Sequence, residues 1–279
     1  MDFLGHVLIL LVLGSVGFCD VLQSFTDVPG CQNFFYKGQE PLGLTSNRTA
    51  NICQRLQGDY HYATLYHRLA RVPIYSAYIL EVSTTSRPDL SSSKWYLEPM
   101  LGGVPEKEML QPSDTIMQLN LEVVEESQAV NDDYRNSGYS RGHVNPSMHH
   151  SSASQLSTFT YTNMAPQDST FNSGTWNQYE MFLRDQILPS CQQTHVLSGV
   201  ILSGSHPGEG TWLRNRVNVP SFFWSAFCCV RSNGTTRAEG RLGRNTSPYD
   251  VVTKDIQELE AMLSKEYGRQ VSLFSGSCQ

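Results

Sequence analysis

The sequence predicts a single mixed α/β domain, and three observations lead there. Of the 279 residues, 39% are hydrophobic and 16% charged. That balance is globular, excludes a disordered tail protein, and at this length suits one large domain or two small ones. Three apolar runs rich in β-branched and aromatic residues, each bounded by polar or Gly/Pro signals, read as core strands of one sheet. Two segments have helical periodicity. No internal repeat, heptad run or low-complexity tract divides the chain, so the domain is expected to run from about Cys31 to the end.

In chain order, the first element is an apolar, uncharged run from His6 to Phe18, too short to span a bilayer and followed by small residues. It reads as a secretory signal peptide, residues 1–19, cleaved after Cys19 to leave residues 20–279. No second run of 18 apolar residues follows, so no stable membrane anchor is expected. The mature segment keeps six cysteines: Cys31, Cys53, Cys191, Cys228, Cys229 and Cys278. An even number in an exported chain predicts disulfides. Cys228 with Cys229 is set aside because strand neighbours point to opposite faces; Cys31–Cys53 is the expected local staple, and the other pairings stay open. No Cys-x-x-Cys or matched Cys/His spacing points to structural zinc. Sequons at Asn47, Asn233 and Asn245 fit an exported glycoprotein surface.

Strands are predicted over Val72–Val82, His195–Ser203 and Val219–Val230, with Ser91–Ser93 in a surface loop. Helices are predicted over Gly174–Ile187 and Thr253–Tyr267. In the second, Ile256, Leu259, Met262 and Leu263 repeat at three and four, with Thr253 as N-cap and Gly268 closing it. Charge is uneven. Residues 104–133 hold eight acidic side chains and one Lys, a solvated excursion, whereas residues 214–244 hold six Arg against Glu239. The arginines read either as a phosphate-facing surface or as scattered surface charge. The net charge of −6 argues against a generic cationic DNA-coating protein.

Chemistry concentrates between Tyr139 and Glu180: Ser140-Arg141-Gly142-His143, then Asn163 to Gln167, then Asn172 to Trp176, then Glu180. A neutral His takes a proton from water, Asn and Glu offer oxygen to a hard cation, and Arg grips phosphate through two nitrogens. These are the parts of a metal-assisted phosphodiesterase. Asn172, Trp176 and Glu180, spaced i, i+4, i+8, would share one helix face.

These motifs resemble the DNA/RNA non-specific endonucleases with a ββα-metal active site. The family's Asp-Arg-Gly-His appears as Ser140 to His143, its Asn-x-x-Pro-Gln as Asn163, Pro166 and Gln167, and its Asn-x-Gly-x-Trp…Glu as Asn172, Gly174, Trp176 and Glu180. Val219-Pro220 and Phe223-Trp224 resemble its later core strand. YSRGHVNPSMHH, FTYTNMAPQ, CQNFF and the paired Cys228-Cys229 are most similar to its endonuclease domain-containing 1 group.

The resemblance implies an α+β fold, a single mixed α/β domain with a central antiparallel sheet and the ββα-metal motif. It implies a secreted endonuclease cleaving DNA and RNA phosphodiester bonds without strong sequence preference, with the phosphate backbone as partner. His143 would be the general base, Asn172 the protein ligand of a hydrated Mg²⁺ (Mn²⁺ or Ca²⁺ substituting), Glu180 the holder of metal-bound waters and Arg141 a phosphate contact. Ser140, Gly142 and Asn163 would support the site, and Trp176 would pack.

Two departures mark this chain. Ser140 stands where many members have Asp, a carboxylate expected to orient the site or adjust His143. An upstream phosphate-gripping cation has two candidates, Arg87 and Lys94. His149 and His150 match no catalytic position and read as surface or supporting residues. The rival readings are a catalytically weak nuclease fold serving as an extracellular binding or immune-interaction module, and a phosphodiesterase of small nucleotides.

Overall fold

The computed structural model describes residues 21–91, 94–275 and 278. The signal-peptide expectation, along with Ser92 and Ser93, lies outside them. After β1 (Val21–Leu22) and α1 (Pro29–Gln32), the chain forms β2 (Thr49–Leu56), β3 (Asp59–His67) and β4 (Val72–Ile79). Helices α2 (Thr115–Ser127) and α3 (Asn131–Tyr134) lead into β5 (Tyr139–His143). Then come α4 (Ser152–Ser157), β6 (Met164–Asp168), α5 (Ser169–Ser173), α6 (Thr175–Phe182), β7 (Gln193–Ile201), β8 (Trp212–Leu213) and β9 (Val217–Asn218). The last elements are β10 (Phe222–Val230), β11 (Thr236–Arg244), β12 (Val251–Lys254) and α7 (Ile256–Tyr267).

Eight strands form one central antiparallel sheet in the order β1-β2-β3-β4-β7-β10-β11-β12. The mixed fold class is as expected. The three predicted strands became β4, β7 and β10, and each is a nearly continuous apolar run because layers of packed structure cover both sheet faces. Along β10, Phe223, Phe227 and Cys229 enter one core cluster with Phe159, Phe171 and Trp176. Trp224, Ala226 and Cys228 enter the other with Tyr75, Leu259 and Leu263. That alternation separates the adjacent cysteines: Cys229 bonds Cys191 in one layer, and Cys228 bonds Cys278 in the other. The expected Cys31–Cys53 staple ties the α1 end to β2.

Several local expectations are corrected. The cap of α7 is Asp255, whose carboxylate accepts the Glu258 N–H at 2.6 Å, because Thr253 is still pairing with Arg241 as part of β12. The acidic region is more than an excursion: Met117 and Val124 anchor α2 in the core, and buried Asp133 pairs with Arg216 at 3.0 Å. The sequon Asn245 is also buried. Its Nδ2 donates to the Pro166 and Pro220 carbonyls, and its Oδ1 accepts the Asp168 N–H.

Candidate active site

Strands β5 and β6 pair antiparallel outside the central sheet, His143 opposite Met164 and Tyr139 opposite Asp168, and run directly into α5 and α6. This is a ββα unit. Alternation along β5 sends Arg141 and His143 to the same side, where both line a cleft of about 270 Å³ with Arg87, Asn172 and Glu180. The groups that the sequence singled out for chemistry thus converge on one cavity. Of the two upstream cations, Arg87 lines it and Lys94 does not. No arginine of residues 214–244 lines it either: Arg216 pairs with Asp133, and Arg237 and Arg241 both pair with Glu239.

Asn172 and Glu180 reach the cleft differently from the expectation of one continuous helix. The chain breaks at Gly174, with φ −101° and ψ −113°, so α5 carries Asn172 and α6 carries Glu180. Glycine is required there because a Cβ would lie 2.5 Å from the Thr170 carbonyl. Trp176 is buried in the core between Phe171, Tyr179 and Phe223. Its indole also lowers the Glu180 carboxyl pKa against burial, a role that its apolar bulk hid in the sequence. The predicted second half of this helix continues past Phe182 as a π-helical turn, Leu183–Ile187.

The supporting residues fix the ribbon. Gly142 packs against Gln167, whose Oε1 would lie 2.3 Å from any added Cβ. Asn163 is fully buried and clamps the turn after His143: its Nδ2 donates to the Asn145 and Thr158 carbonyls, and its Oδ1 accepts the Asn145 N–H and the Ser76 hydroxyl. Ser140, expected to support the site, reaches α5 and not the cleft. It lies at the β5 position between Tyr139 and Arg141, is not among the cleft residues, and its Oγ bonds Ser169 Oγ at 3.0 Å. His149 and His150 are buried, not at the surface. Tyr78 O–H bonds His149 Nδ1 at 2.9 Å, and His149 Nε2 donates to the Glu180 carbonyl at 3.0 Å, bracing α6 against β4. His150 Nε2 bonds Asn145 Oδ1 at 2.7 Å.

Electrostatics follow from burial. The His143 ring packs edge-on to Phe159 and Trp95. Burial, and then the Arg87 charge, lower its pKa to about 3, so the imidazole is neutral near pH 7. Its Nε2 is shielded and unpartnered, which leaves Nδ1 as the nitrogen able to meet a water. Burial drives the Glu180 carboxyl up to about 8, against the opposing pull of Arg87 and Trp176. Arg141 bonds Asn131 Oδ1 through Nη2 at 2.5 Å and lies over the Trp95 and Tyr134 rings, so its fork is held in place. Arg87 lies over Phe159, 5.6 Å from the ring centroid.

Among the described residues no group of three His, Cys, Asp or Glu could hold a metal ion. Asn172 and Glu180 nevertheless fit a hard cation that keeps most of its water. Asn172 lines the cleft, and the raised Glu180 carboxyl is one that a cation would compensate.

The sequence model of the DNA/RNA non-specific endonucleases matches residues 120–272, a span that includes the whole ββα unit. The chain belongs to this family. Among its relatives, the Endonuclease domain-containing 1 proteins of Homo sapiens and Mus musculus are 32% and 31% identical over 82% and 89% of this chain. The chain spans only 45% and 47% of their lengths, about half. The mitochondrial nuclease EXOG of Homo sapiens is 33% identical over 49% of this chain and 39% of its own. A solved structure of the EndoG/EndoGI complex shares the fold with a TM-score of 0.56, covering 83% of this chain and 87% of that one at 20% identity. At that identity the likeness shows a shared fold.

Proposed function

We propose that the chain is a secreted, metal-dependent endonuclease hydrolysing DNA and RNA phosphodiester bonds with little base preference. The observation that carries this reading is the convergence of Arg87, Arg141, His143, Asn172 and Glu180 on one cleft from four separate segments. Arg87 and Arg141 bind the phosphate oxygens. Because such contacts carry no base information, the cut is expected wherever backbone enters. Neutral His143 accepts a proton at Nδ1 from a water aligned with the phosphorus, and burial keeps the ring ready to do so well below pH 7. Asn172 and Glu180 would hold a divalent cation, Mg²⁺ or Mn²⁺, which when bound stabilises the charge on the phosphate and the leaving oxygen. Trp176 and the His149 brace orient Glu180 from behind.

The binding-module reading draws on Ser140 and on the acidic net charge; against it stand the cations and the neutral imidazole that line the cleft, while Ser140 bonds Ser169 outside it. The test is nicking of supercoiled plasmid and of single-stranded RNA by the disulfide-intact protein, with Mg²⁺ or with EDTA, followed by sequencing of the new ends. Metal-dependent cuts at all four bases support the proposal. A folded protein inert on both polymers favours the module, and one that cleaves dinucleotides alone favours the small-nucleotide enzyme.

A further inference from the structure

The acidic excess of residues 104–133 has no part in the cleft, yet it borders a concavity larger than the cleft. A groove of about 780 Å³ runs along α2 toward Val130 and the Arg214–Arg216 turn, and it shares no residue with the cleft. Of the six large hydrophobic side chains exposed among the described residues, three lie on this helix: Ile116, Leu119 and Val123, with Leu119 80% exposed. Their spacing, i, i+3, i+7, makes a single stripe on the side away from buried Met117 and Val124. Two of the three, Leu119 and Val123, line the groove and give it an apolar strip beside its charge.

Charge decides what fits. Glu122, Glu125 and Glu126 line the groove, and none forms an ion pair with a cation among the described residues. Asp133 and Arg216 neutralise each other, leaving Arg214 as the one other cation on the rim. Burial, and next the Asp132 charge, push the Glu125 carboxyl above the usual range against the pull of Arg216. Phosphate polymers are repelled from such a rim. A second copy pairing the same face would bring these carboxylates against one another at a net charge of −6 per chain. Residues 1–20 hold no Lys or Arg to complement them.

We propose that the α2 groove docks a basic, amphipathic helical segment of a partner protein, whose apolar side chains cover Leu119 and Val123 while its Lys and Arg meet Glu122 and Glu126. Helix-in-groove recognition of this type is read through anchors at i, i+3 or i+4 and i+7. The proposal does not depend on the nuclease reading, since the two surfaces share no residues.

The test is fluorescence anisotropy with a labelled peptide of roughly sixteen residues, Leu on one helical face and Lys on the other. A scrambled peptide of the same composition serves as control. Expected is saturable binding weakened at least about tenfold by Leu119→Ser with Val123→Ser, and again by Glu122→Lys with Glu126→Lys. All four positions are solvent-facing, so melting temperatures should match the parent. Methyl shift perturbation, mapping the peptide to Leu119 and Val123 in the parent protein, provides a readout free of substitutions. Equal binding of the scrambled peptide, unchanged affinity in both variants, or no saturation would overturn the proposal. So would a concentration-dependent dimer abolished by Leu119→Ser, which would identify a second copy as the occupant.

Discussion

At the scale of single residues, buried histidines make stability depend on pH. His149 is fully buried with both ring nitrogens occupied, and its pKa falls to about 3, first through burial. An unfolded His binds its proton near pH 6.5. Between those values the unfolded chain holds more protons than the folded one, so stability is full above about pH 6.5 and declines as pH falls toward 3. His143, also lowered to about 3, and His67, lowered to about 4, act in the same sense. Glu180, raised to about 8, acts oppositely: its contribution is present below about pH 4.5 and is lost as pH climbs through 8. Melting curves from pH 7 down to 4 should therefore show a falling midpoint with a shallower slope in His149→Gln, and parallel slopes would refute the brace. Asn245 gives a second residue-scale outcome. In protein made through the secretory route, enzymatic deglycosylation in water carrying heavy oxygen should mark the exposed Asn47 and Asn233 and leave Asn245 unmarked, because its amide is spent on two carbonyls.

At the scale of elements, the parts visible in sequence were those specified by short-range pattern. Strands β4, β7 and β10 were visible because burial on both faces makes them apolar throughout. Strands β2 and β3 escaped notice: TANICQRL and DYHYATLYH mix polar residues into the run. Their pairing is set by a two-residue turn, Gln57 and Gly58 both at positive φ. Strand β11 carries Arg237, Arg241 and Arg244 and so resembled surface loop. In the site, the Arg-Gly-His segment lay in view because one short strand presents Arg141 and His143 together. Arg87 was in view only as one of two candidates beside Lys94, since only the fold shows which of them reaches the cleft, and the break between α5 and α6 depends on a carbonyl contact with no sequence signature. Gly174→Ala forces that contact apart and should cost about 1–3 kcal/mol. Because it also shifts α5 relative to α6, the loss of nicking should exceed what the measured unfolding accounts for. Full activity in a destabilised variant would show that the break does not position Asn172.

At the scale of the whole molecule, two layers share one sheet, and the cysteines follow them. Cys191–Cys229 closes the layer that carries the ββα unit, and Cys228–Cys278 closes the layer of α7 and the chain end. Non-reduced peptide mapping should recover these two links with Cys31–Cys53, and losing either of the first two should cost about 2–4 kcal/mol. A recovered Cys191–Cys228 link would contradict the alternation of β10. The fold thus joins a ribbon outside the sheet, two helices meeting at a glycine, and a loop arginine at one cleft, and the central claim is that this cleft cuts nucleic acid with His143 as base. The most direct measurement is the rate of supercoiled-plasmid nicking in Mg²⁺ by the parent protein and by His143→Ala of matched melting temperature, each repeated in EDTA. The parent should nick only with metal, and the variant should be slower by roughly 10²–10⁴-fold. Equal rates in the two proteins would contradict the assignment of the base, and equal rates with and without EDTA would contradict the metal.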